Sequence, residues 1–141
     1  MKKIVSIVIT SILLFFSSYC LSDSGIPNLV GTWSVKSEGS IMLKVDKPGE
    51  KTHWENNQKE LVAEAKILEQ NGRVIKGEFI SAKATEKFIA VISLDNKNIY
   101  LADEDGTANM KIINKNTLET VYRHVTEKDT VVAIGIWKKK K

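Results

Sequence analysis

The stretch "LVAEAKILEQNGRVIKGEFI", Leu61 to Ile80, decides between two folds. Its first half suits a helix, because Leu61, Ala65 and Leu68 share a helical face and the composition is rich in helix formers. The same letters also read at period two, with Leu61, Ala63, Ala65 and Ile67 on one side and Val62, Glu64 and Lys66 on the other. The Asn71-Gly72 pair tips the choice. It stands between two alternating runs, and both residue types accept positive φ, so the segment reads as a β-hairpin whose return strand is Val74 to Ile80.

Downstream the pattern repeats. Phe88 to Leu94, Ile99 to Ala102, Ala108 to Ile113, Thr117 to Val125 and Val131 to Trp137 are short apolar-alternating runs joined by "DNKN", "DEDG", "NKN" and "TEKD". Upstream, Leu29, Gly31, Trp33 and Val35 share one face of an extended segment against Thr32, Ser34 and Lys36, and Ile41, Leu43 and Val45 continue the alternation. "DKPGEK", Asp46 to Lys51, supplies turn chemistry before the hairpin. The expectation is an all-β domain: one antiparallel meander of about eight strands, closed into a small barrel so that no edge is left unpaired.

The first residues differ from the rest. Lys2 and Lys3, the apolar run Ile4 to Phe16 and the small and polar "SSYCLSDS" have the three-part form of an export signal, too diluted by Ser and Thr for a membrane span. The expected organisation is a signal peptide over 1–22, a linker over 23–28, the barrel over 29–138 and a basic tail over 139–141. Cys20 is the single cysteine. Tyr19 before it departs from the small residue of a lipobox, so removal with the leader is favoured over lipidation. No disulfide then holds the mature chain, and packing alone must. The formal net charge of +4 is concentrated in Lys2, Lys3 and Lys138 to Lys141, which leaves the body near neutral and argues against nucleic acid as a partner.

"GTW", Gly31 to Trp33, at the head of the first strand of such a chain resembles the calycin superfamily, which includes lipocalins and avidins. The resemblance implies that Trp33 closes one end of the barrel against a basic side chain from a late strand, with Arg123 in "VYRHV" or Lys138 as the partner. The run from Asn96 to Val125 is also similar to uncharacterised exported bacterial proteins that pair an early Gly-Thr-Trp with a late Asp-Glu-Asp-Gly.

Signals for catalysis are weak. His53 and His124 are the only histidines, without the spacing of a zinc site, and no serine is marked as a nucleophile. Asp103, Glu104 and Asp105 before Gly106 could gather calcium, but a hairpin turn accounts for the same letters and the distal ligand of an EF-hand is missing. The expected protein is therefore not an enzyme and needs no metal or cofactor. Its apolar inner set, including Ile75, Phe79, Phe88 and Ile92, points to a small apolar ligand in the lumen, with Trp33, Phe79, Phe88, Tyr122 and Arg123 lining or closing it. The alternative is an interaction or inhibitor module of the cell envelope, or a homodimer. It would act through Ile89, Val91, Val132, Ile134 and Ile136, which alternation turns outward unless a loop over 51–59 covers them. Lys138, Lys139, Lys140 and Lys141 would give weak contact with an anionic membrane surface. The expected location is outside the cytoplasm, periplasmic or secreted.

Overall fold

Alternation of buried and exposed side chains runs through every strand of the structure, a computed structural model that describes residues 25–43 and 60–141. The eight strands are β1 Gly31–Leu43, β2 Glu60–Asn71, β3 Val74–Ile80, β4 Thr85–Ile92, β5 Asn98–Ala102, β6 Gly106–Asn114, β7 Thr117–Val125 and β8 Asp129–Lys139. Each pairs antiparallel with the next, and β8 returns to β1, closing a barrel in sequence order. No helix occurs among the described residues. The leader over 1–22 with Cys20, the turn over 46–51, His53 and the loop over 51–59 lie outside the described residues.

Leu61 to Asn71 is strand, as the hairpin reading requires, and β3 keeps the bounds expected of it. The turn itself sits one residue later than expected. Asn71 pairs with Val74, so the two-residue loop is Gly72-Arg73. Positive φ falls on Gly72, at 58°, and not on Asn71. Glycine at the first central position is what a II′ turn requires, and it matches the twist of the flanking strands. A bulge between Ile67 and Glu69 puts the exposed Leu68 outside the regular register, which removes it from the inner face where a helix would have kept it.

Ile41 and Leu43 extend the first strand without a break, so β1 spans 13 residues and is paired along much of its length with β8. The last strand likewise runs past the expected boundary at 138: Lys139 belongs to β8, and the Lys140 amide donates to Thr32 O at 2.8 Å. The core faces inward, with a smaller cluster of Leu61, Val131 and Ala133 beside the main one. Leu29, Trp33, Val35, Ala65, Ile67, Ile75, Phe88, Ile92, Ile99, Leu118 and Trp137 are all buried within the main cluster. Ile89, Val91, Val132, Ile134 and Ile136 face outward, as alternation demands once their neighbours enter the barrel.

Candidate functional site

The two ends of the barrel are built differently. At one end the segment before β1 crosses the opening, and Leu29 and Trp33 are completely buried there. Three hydrogen bonds hold this segment in place: the Leu29 amide donates to Gln70 Oε1 at 2.9 Å, Gln70 Nε2 donates to Pro27 O at 2.9 Å, and Trp33 Nε1 donates to Leu29 O at 3.0 Å. The one polar group that the indole brings inside is thereby satisfied.

The cation over Trp33 is Lys139, whose Nζ lies 5.6 Å from the ring centroid. Arg123 and Lys138, the partners implied by the resemblance, are exposed. Strand parity explains the difference. Trp33 and Lys139 are directly paired across β1 and β8, so their side chains leave the sheet on the same side, whereas Lys138 points the other way. Arg123 lies between the inward Tyr122 and His124 and must likewise point out. Gly31, with φ at 139°, clears the path: a β-carbon there would meet Lys139 Cε at 2.8 Å.

At the opposite end a chain of polar groups replaces the apolar plug. His124 Nε2 lies 2.9 Å from Asp129 Oδ1, with both side chains buried. A carboxylate can only accept, so the proton on Nε2 is the one directed at Asp129. Thr126 Oγ1 donates to the same oxygen at 2.7 Å, while Asp129 Oδ2 is buried without a hydrogen-bond partner among the described residues. The other imidazole nitrogen, Nδ1, is 3.4 Å from the Tyr122 hydroxyl, which is itself 3.4 Å from Asp103 Oδ1. Burial first, and then the carboxylates of Asp103, Asp105 and Glu86, push the Tyr122 phenol far above its ordinary range, so it keeps its proton.

Below this network the lumen holds a cavity of about 50 Å³. Phe79, Phe88, Leu101, Tyr122 and Trp137 form much of its wall, with Asp103 at its polar side. Phe88 meets Trp137 edge-on, with ring centroids 6.0 Å apart, so the aromatic wall is itself packed. Trp33, Phe79, Phe88 and Tyr122 therefore do not form one group. Phe79, Phe88 and Tyr122 surround the cavity, whereas Trp33 seals the far end and Arg123 is outside. Asp103, His124, Asp129, Trp137 and Lys139 were not among the expected site residues; each lies on the inward parity of its own strand or at the end of it, which is the signal that could have found them.

A second concavity lies on the outer surface, an open trough of about 640 Å³ across β7, β8, β1 and β2 whose apolar floor includes Val62, Val121, Ile134 and Ile136.

No family model matches the chain, and no curated protein matches it. Among solved structures it is similar to a redesigned β-barrel, at 6% sequence identity and a TM-score of 0.52, over 80% of this chain and 92% of that one. A second likeness is to the S-type phycobiliprotein lyase CPES from Guillardia theta, at 8% identity and a TM-score of 0.34, over 79% of this chain and 88% of that one. The first likeness is one of fold: a small closed β-barrel.

Proposed function

We propose that this barrel is a binding protein that seats the apolar end of a small ligand in the lumen, entered from the Asp103 side. The observation that carries the reading is the cavity between Phe79, Phe88, Tyr122 and Trp137 in the barrel interior. Its volume limits what can enter. A whole drug-sized ligand needs roughly 300 to 1,000 Å³, so about 50 Å³ admits a short alkyl group and leaves the remainder of the ligand at the mouth. This narrows the apolar-ligand expectation from a molecule enclosed in the barrel to one held by its end. A Tyr122 phenol that keeps its proton supports binding over chemistry, because it offers no ready nucleophile. Export through the leader is part of the same proposal.

Xenon tests the cavity without regard to charge. Ala108 and Ala133 also line the cavity, and xenon NMR of the processed protein is expected to report a bound resonance that Ala133→Leu, which adds bulk to the wall, removes. Ala108→Val serves the same purpose with a smaller insertion. A free-gas resonance alone, or full binding by both folded variants, would overturn the reading.

The outer trough supports a second reading, an interaction module, since Val62 and Ile134 are well exposed on its floor. It predicts a dimer or a bound partner in light scattering, dispersed by Ile134→Lys; a monomer at high concentration that the substitution leaves unchanged counts against it.

A further inference from the structure

We infer that the group this site recognises is an organic cation: a short alkylammonium whose carbon end enters the cavity while its charged head meets Asp103. The inference rests on the lumen-binding reading and adds the chemical class of the ligand.

Asp103 carries the case. Three hydrogen bonds land on one of its oxygens: Oδ1 accepts from the Asp105 amide at 3.0 Å, the Gly106 amide at 2.6 Å and the Tyr122 hydroxyl at 3.4 Å. These bonds fix the carboxylate through the β5–β6 turn and leave Oδ2 as an acceptor on a residue that lines an apolar cavity. A pre-positioned carboxylate at the rim of a hydrocarbon pocket matches an ammonium group, which brings donors and no acceptors.

The surrounding charge has the same sign. The buried polar side chains among the described residues are Glu86, Thr120, His124 and Asp129, and the imidazole among them is already turned to Asp129. The basic residues of this end, Lys83, Lys87, Arg123 and Lys128, are exposed. The carboxylates of Asp103, Asp105 and Glu86, which add to burial in raising the Tyr122 phenol, oppose a bound anion and favour a cation at the same place. A neutral apolar ligand would use the cavity and ignore Asp103.

Three probes of one size separate these cases: propylamine, 1-propanol and propionate, titrated at neutral pH against the processed protein and followed by amide chemical shifts. Propylamine is expected to bind about tenfold or more tightly than 1-propanol, with propionate weakest, because one charge-assisted hydrogen bond replaces a neutral one. Asp103→Asn keeps an oxygen for the turn but loses the charge, so the preference should fall to about threefold or less while xenon still binds. Equal affinity for propylamine and 1-propanol in a protein that binds xenon would overturn the cation assignment alone. An undiminished preference in folded Asp103→Asn would overturn the role of Asp103. Loss of xenon binding in the unmodified protein would remove both this inference and the reading beneath it.

Discussion

At the Trp33 end the barrel is stoppered by its own chain; at the Asp129 end it is bridged by side chains that hold one another. The first closure is carbon packed on carbon, with the indole N–H answered by backbone and the Leu29 amide by Gln70, and Lys139 spreads over the outer face of the indole. The second places the Asp129 carboxylate and an imidazole under cover, sets the half-buried Tyr122 phenol and Asp103 beside them, and leaves Asp129 Oδ2 buried without a partner among the described residues. Apolar packing gains from burial directly, whereas a buried polar pair must first offset the penalty of leaving water. A fold can tolerate the second arrangement where recognition requires it. The contrast therefore puts stability mainly at the plugged end and selectivity at the bridged end.

The largest effect should come from the plug. Trp33→Ala removes a completely buried indole and its bond to Leu29, and is expected to lower stability by about 4 kcal/mol in denaturant unfolding. A loss under about 1 kcal/mol would show that the N-terminal segment does not close the barrel.

The bridged end should behave differently under paired substitution. His124→Leu strands Asp129 in the interior and is expected to cost about 3 kcal/mol, much of which the added Asp129→Leu returns, because two apolar side chains leave no buried polar group without its partner. If the double variant is less stable than the single one, the pair contributes more than mutual compensation and the contrast between the ends weakens.

The smallest effect is also the most diagnostic. Tyr122→Phe should cost about 1 kcal/mol at pH 7, where two long contacts of 3.4 Å are lost. The folded phenol holds its proton more tightly than the unfolded one, so its contribution is complete below the unfolded value near 10 and is lost as pH rises beyond it. The unmodified protein should therefore lose stability more steeply above about pH 10 than Tyr122→Phe does. Parallel curves would mean that the phenol is not confined as described.

Much of the architecture was legible in the chain itself. Period-two alternation separated Ile89 and Val91 from Phe88 and Ala90, and the bounds of Thr117 to Val125 follow from the turns "NKN" and "TEKD" at its ends. Glycine punctuation marked the hairpin, although the tolerance of Asn71 for positive φ drew the turn one residue early. The site was less legible. Tyr122 and Arg123 are neighbours in one strand and cannot both face the lumen, so parity alone argued against including Arg123. Parity also puts His124 and Asp129 on the inner face, but a lone histidine and a turn-adjacent aspartate have no meaning until β7 and β8 fold back and bring their tips to 2.9 Å.

Side-chain alternation, turn residues and the Gly31-Thr32-Trp33 opening were enough to specify strands, their inner faces and a closed meander, because each depends on residues close together in the chain. Which cation covers Trp33, how little of the lumen stays empty, and that Asp103 meets Tyr122 across two strands depend on register between distant segments. A period of two tells each side chain which face to take; only closure of eight strands fixes how far it lies from the side chain opposite.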